Sequence, residues 1–325
     1  MGFTNFPHGL TSFGIPLAGD GAPATFGTFY FVDYRNGSDG NTGKSTTKAF
    51  KTLSKAYTAV TSNANDVVII DGDSTVVETA MVSLSSNRVH TIGWNGVPSP
   101  YGYGNGAKLS VAVTTAATDI ATLQNTGVRN TFSNIKITNS NTVAEGLYAV
   151  ADGGEYSRWF GCEFYKSTDL DEAGAAELLC NADSGQYINC TFGSLANTVS
   201  ANGARPCVLF DRETLTGKVA RDVAFYHCLF WRKCGDTDNR FMYGSGATDV
   251  ERMGLVENCI FVNAALATQT PAQNIAFGAS LTDGAVLVSG GTSINAGTAM
   301  STTTGVFVSG HSPTAATACI SVQAT

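Results

Sequence analysis

A short motif returns along the middle of the chain, and it restricts the fold more than any other feature. FSNIKI (132–137), WFGCEF (159–164), YINCTF (187–192), FYHCLF (225–230) and VENCIF (256–261) each open on an apolar or aromatic residue. Each then places a turn-type or polar residue, an Ile or Cys, any residue, and a closing Ile or Phe. Ile135, Cys162, Cys190, Cys228 and Cys259 hold the same place in successive copies. The interval is not constant: it is shortest between Ile135 and Cys162 and longest between Cys190 and Cys228. A repeat that keeps one strand while its length drifts is what a coil makes when each turn must return to the same strand position but can bulge between strands. Residues two apart share one face of a strand. The Cys and the closing Phe therefore point inward as one core ladder, and Glu163, Thr191, Leu229 and Ile260 point outward.

Apolar stretches between the copies, around Cys180, Cys207, Phe241 and Phe277, supply at least one further strand per turn. The residues just before the ladder positions are Asn134, Gly161, Asn189, His227 and Asn258. Asn and Gly tolerate a left-handed backbone, so a corner belongs here. A β-sandwich would instead show strands at regular spacing without a recurring Cys-x-Phe. The fold class expected is all-β, a right-handed parallel β-helix.

Near the amino terminus, Ala49, Leu53, Ala56 and Val60, with Phe50 and Tyr57 beside them, recur at helical spacing. They predict a helix over about 48–60, capped by Thr47 or Thr52, that covers the open end of the coil. Three parts are expected: an attachment arm over 1–27, the capped β-helix over 28–277, and a charge-poor β segment over 278–325 that joins subunits. From Met253 to Thr325 there is no Lys or Arg, and the only carboxylates are Glu257 and Asp283. Soluble monomers intersperse charge over their surface, so this stretch reads as an interface between copies, with a homotrimer expected.

Lys plus Arg number 19 against 26 Asp plus Glu, for a net charge of -7, and no basic run could neutralise a phosphate backbone. Nucleic acid is not an expected partner. The amino terminus lacks a basic segment followed by an apolar run, and no uninterrupted apolar stretch reaches membrane-spanning length. Synthesis in a host cytoplasm, without membrane insertion, is the expectation. The eight cysteines show no CxxC pair and no metal-ligand spacing, and they read as small buried apolar residues with free thiols.

In the order YFVD (30–33), NGSDGNTG (36–43), AFKTLSKA (49–56) and DVVIIDGD (66–73), the chain resembles the opening of pectin-lyase-like parallel β-helix proteins. That group includes polysaccharide lyases, phage tailspikes and inert structural rods, so the resemblance implies a fold and leaves the chemistry open. The segment FTNFPHGLTSFGIPL (3–17) resembles amino-terminal arms of structural proteins from tailed phages. What the two resemblances imply is a virion structural protein, a capsid decoration, tail fibre or tailspike-like rod. It would dock on other virion proteins through Phe3, Phe6, Pro7, Phe13, Ile15 and Pro16. The alternatives are a polysaccharide depolymerase and a non-catalytic rod that binds a host surface glycan through Trp159 or Trp231.

No catalytic set emerges from the residues. Asp169, Asp171 and Glu172 form one acidic loop and Asp236, Asp238 and Asp249 another, while Arg205, Arg212, Arg221, Arg240 and Arg252 lie in or beside the repeats. Each group reads as readily as a solvated loop as it does a glycosidase pair. Asp33, Asn36, Asp39 and Asn41 could offer oxygens to calcium, but turn formation explains them equally. His8, His90, His227 and His311 lack a Ser or Cys partner at a recognisable spacing. No metal or cofactor is expected.

Overall fold

The computed structural model describes residues 27–72, 75–94, 107–111, 120–140, 146–166, 174–199, 205–212, 218–234, 240–263, 274–294, 296 and 305–308, with the backbone of 10–12 and 15–18. The chain winds as a parallel β-helix. Among the described residues, each coil from the one that opens with Val67–Asp71 to the one that closes with Ile275–Phe277 leaves one strand in each of a ten-, an eight- and a seven-stranded sheet; Gly284–Ser289 and Thr292–Ile294 add to the first two, and Phe29–Val32 and Val306–Val308 to the ten-stranded sheet alone. Arg158–Phe160, Glu163–Lys166 and Ala176–Cys180 are one such coil. Gln186–Ile188, Thr191–Val199 and Val208–Phe210 are the next, and each strand pairs in parallel with its predecessor. No helix among the described residues is long and apolar enough to cross a membrane.

Stacking at about 4.8 Å per coil sets like residues over like. Inside the ten-stranded sheet Phe132, Trp159, Tyr187 and Phe225 follow one another in register. Their successive ring centroids are 3.8, 6.4 and 4.7 Å apart, with planes within about 10° of parallel. Phe164, Phe192, Phe230 and Phe261 form a second column, spaced 4.7, 5.0 and 4.9 Å. Between the columns lie Ile135, Cys162, Cys190, Cys228 and Cys259, all buried. The thiols contact one another's coils: Cys190 Sγ lies 3.4 Å from the Trp159 carbonyl and Cys228 Sγ 3.3 Å from that of Tyr187.

The corner before each ladder residue is left-handed, with φ of 56° at Asn134, 56° at Gly161, 52° at Asn189, 53° at His227 and 51° at Asn258. The main chain ties these corners together. Asn134 N–H donates to Phe160 O at 3.0 Å, Gly161 N–H to Ile188 O at 2.9 Å, and Asn258 N–H to Ser289 O at 2.8 Å. Of the outward residues between ladder positions, Glu163 is buried, although Lys136 lies 3.2 Å away on the preceding coil, whereas Ile260 is 41% exposed.

The helix, α1, spans Leu53–Ala59 and buries Leu53, Ala56 and Tyr57 against the first coil. It is shorter than the 48–60 expected. Thr46–Lys48 is a 3-10 turn, and Phe50 is extended because its N–H donates to Phe31 O at 2.8 Å and its carbonyl accepts from Asp33 N at 2.9 Å. Asp39 then takes Lys51 N and Thr52 N on one oxygen, both at 2.9 Å. Glu78, from the first coil, accepts from Leu53 N at 2.6 Å and Ser54 Oγ at 2.7 Å. Thr52, one of the two caps expected, is the N-cap: its side chain accepts from Lys55 N at 3.2 Å, while Glu78 takes the first helical amide and Asp39 holds the two residues before the helix. At the other end, Gly284–Ser289 and Thr292–Ile294 add to the ten- and eight-stranded sheets, and Val306–Val308 pairs with Gly284–Ser289. The coil thus runs on past residue 277.

Candidate interaction surfaces

Of the expected arm residues, Phe3, Phe6, Pro7 and Phe13 lie outside the described residues, as do Asp169, Asp171, Glu172, Asp236 and Asp238. Ile15 and Pro16 belong to Ile15–Ala18, which pairs antiparallel with Leu10–Ser12. Asp249 is buried and closes its own turn, accepting from Gly246 N at 2.6 Å and Arg212 N at 3.3 Å. Burial and the nearby Asp249 charge raise the carboxyl pKa of Asp211.

The loop considered for calcium spends its polar atoms on the protein. Asp33 accepts from Arg35 N at 2.9 Å, Asn36 N at 3.0 Å and Asn36 Nδ2 at 3.0 Å, and Asn41 Nδ2 donates to Ala49 O at 2.9 Å. With Asp39 engaged by the amides of Lys51 and Thr52 ahead of the helix, these groups shape a turn. Among the described residues no three His, Cys, Asp or Glu side chains gather as a metal site.

Trp159 lies wholly inside the rod, so it cannot stack on a sugar. Its indole belongs to a buried polar node around Asp152. Asp152 Oδ2 accepts from Ser157 Oγ at 2.7 Å, Trp159 Nε1 at 2.7 Å and Tyr187 OH at 2.8 Å, and Oδ1 from Asn125 Nδ2 at 2.9 Å. The phenol pKa of Tyr187 is held well above its usual value by burial and the neighbouring carboxylate. A second buried pair joins Arg232 to Glu177 at 2.5 Å, and Arg232 also donates to the Arg205 carbonyl. Arg205 and Arg232 thus hold the coil together and do not line a groove.

Trp94, which the sequence reading passed over, borders a recess of about 270 Å³ on the outside of the ten-stranded sheet, with Phe31, Ile69, Thr46, Asp33 and Asp71. Alternation along HTIGW (90–94), with Trp94 in phase with Ile92, was the signal available.

The described surface is uneven. Its exposed large apolar side chains are Tyr156 and four near the carboxyl end: Met253 (41%), Ile260 (41%), Leu287 (36%) and Ile294 (51%). Leu287 pairs in register with Leu255, and Ile294 with Val262. The four flank the Asn258 and Gly290 corners, two on the ten-stranded sheet and two on the eight-stranded one. Arg212, Arg221 and Arg252, singled out from the sequence, come together on the opposite border of the ten-stranded sheet. Arg221 binds Asp183 at 3.1 Å and also Glu251, Arg252 binds Asp222 at 2.8 Å and Asp183 at 3.3 Å, and Arg212 reaches Glu251 at 3.4 Å.

No protein-family model and no curated protein matches the sequence. Solved structures do match the fold. A pectin methylesterase from Aspergillus niger aligns with a TM-score of 0.54 and 13% identity over 88% of this chain and 85% of that one. The pectate lyase Pel9A aligns with a TM-score of 0.54 and 12% identity over 82% of this chain and 62% of that one. The class is therefore that of pectin-lyase-like parallel β-solenoids, and at these identities the likeness concerns fold alone.

Proposed function

We propose that the chain is a non-catalytic, self-associating β-helical rod, a structural surface protein of a phage-like virion that docks through its amino-terminal arm. The observation that carries this reading is the coincidence of two features. Met253, Ile260, Leu287 and Ile294 are exposed in the stretch that has no Lys or Arg. A large apolar side chain gains about 1.5–3 kcal/mol on full burial, and charge-depleted apolar patches mark contact with another protein. The occupant of this patch is a second copy of the chain, arranged as a closed symmetric oligomer. The arm's likeness to those of tailed-phage structural proteins supports placing the assembly on a virion.

Analytical ultracentrifugation tests the association, and co-purification with particles tests the docking. The wild-type rod sediments as an oligomer, whereas Ile260→Lys and Ile294→Lys sediment as monomers with an unchanged circular dichroism spectrum. A chain lacking residues 1–21 stays oligomeric and no longer joins particles. A wild-type protein that is monomeric at high concentration, or a truncated one that still joins particles at full occupancy, contradicts the reading.

A further inference from the structure

Two residues beyond the closing Ile or Phe, four strands of the eight-stranded sheet turn a polar side chain inward: Asn139, Lys166, Arg232 and Asn263. Asn139, Arg232 and Asn263 are buried and Lys166 is half-buried. Two of the four are cations, and the carboxylate that reaches them, Glu177, is held by Arg232 at 2.5 Å. Lys166 Nζ donates instead to the Gly146 carbonyl at 2.7 Å. Asn139 Nδ2 donates to that same oxygen at 3.2 Å and to Tyr148 O at 2.5 Å. Asn139 and Lys166 pair in register on parallel strands, so their side chains leave the sheet on one face. A single carbonyl thus holds the amine of one coil against the carboxamide of the coil before it.

Burial pulls the Lys166 pKa from 10.5 down to about 8, against the opposing charge of Glu177. The neutral amine, which is the nucleophilic form, is therefore present in mildly alkaline solution. Two groups that a fold fixes side by side react as parts of one molecule, at a high effective concentration. We propose that Lys166 and Asn139 condense into an intramolecular isopeptide bond that ties two successive coils together inside the rod. The neutral Nζ adds to Cγ of Asn139, and one proton passes from Nζ to Nδ2 with Glu177 as carrier. The Cγ–Nδ2 bond then breaks and ammonia leaves; nothing is oxidised or reduced. An ammonium that is costly to keep inside the rod becomes a neutral amide. The bond also closes the stretch between the two residues, and so restrains the unfolded chain as a disulfide does. It concerns the interior and does not depend on the self-association proposed above.

Intact-mass spectrometry of the full chain, incubated folded at a pH above the Lys166 pKa and then denatured, tests the bond. The chain is lighter by one ammonia than its sequence requires, and a proteolytic digest contains a branched peptide that joins the Asn139 segment to the Lys166 segment. Lys166→Arg, which keeps the charge and removes the nucleophile, and Asn139→Ala each show the full mass with the circular dichroism spectrum of the wild type. Asn36, Asn95, Asn105 and Asn202 each precede a glycine, and a succinimide at any of them also releases ammonia. A loss of ammonia that persists in Lys166→Arg therefore overturns the proposal. A wild-type chain of full mass, with no branched peptide after prolonged incubation, overturns it without recourse to either variant.

Discussion

The indole Nε1 of Trp159 donates a 2.7 Å hydrogen bond to Oδ2 of Asp152, a carboxylate that is only 1% exposed. Three donors from two coils converge on that oxygen, and the aromatic column passes directly through the node. A buried charge held this way is costly to disturb from either side.

Asp152→Ala leaves Ser157 Oγ, Trp159 Nε1 and Tyr187 OH without this acceptor inside the rod. Each orphaned buried donor costs about 1–3 kcal/mol, and losing one member of a buried charged network typically costs about 3–5 kcal/mol. A loss in that range is expected from urea unfolding followed by tryptophan fluorescence. A loss below about 1 kcal/mol would show that the node is dispensable.

His90 gives a pH dependence with a defined sign. Its Nδ1 shares a 2.7 Å hydrogen bond with Thr131 Oγ1, and burial pushes its pKa down from 6.5 to about 4. The unfolded chain therefore binds the proton more readily than the folded one, and stability is lost as pH falls from 6.5 toward 4. The contribution is at most about 3.5 kcal/mol, since one pKa unit corresponds to about 1.4 kcal/mol. His90→Gln should flatten the stability profile across that window relative to wild type. Parallel profiles for the two proteins would count against it.

Arg221 bridges Asp183 and Glu251 with its side chain 37% exposed. Solvent screens such pairs, so Arg221→Ala should cost about 0.5–1 kcal/mol at low salt. The cost should shrink in high salt as the remaining carboxylates are screened. Thermal melts at two ionic strengths give the comparison. A penalty that is independent of salt would assign the loss to packing of the arginine stem instead.

Cys162, Cys180, Cys190, Cys207, Cys228 and Cys259 are free and buried, and burial pushes the Cys180 thiol up to about 12. Since thiolates are the reactive form, these six should resist a thiol-specific chromogenic reagent in the native protein and react once urea unfolds it. Rapid native labelling of Cys190 or Cys228, read by peptide mass, would mean that the coil opens locally.

The strand that returns on every coil was legible in the sequence because its constraints are local. Asn, Gly or His at 134, 161, 189, 227 and 258 accepts the left-handed corner, and alternation turns the next residue and the closing Ile or Phe inward. The helix was legible, with Thr52 as one of two candidate caps, but the choice of Thr52 over Thr47 was not, since Asp39 and Glu78, distant in sequence, hold the amides of Thr52 and Leu53. Trp159 and Tyr187 could be read as inward aromatics, but nothing in the spacing of Asp152 announces that both reach it. Likewise Arg129 and Arg221 look alike along the chain. Only the stacking register sets Arg221 between Asp183 and Glu251 and leaves Arg129 beside Tyr156. Backbone preference and alternation act within a few residues, whereas charge pairing and burial depend on which coil lies above which, and that is settled only when loops of unequal length have closed.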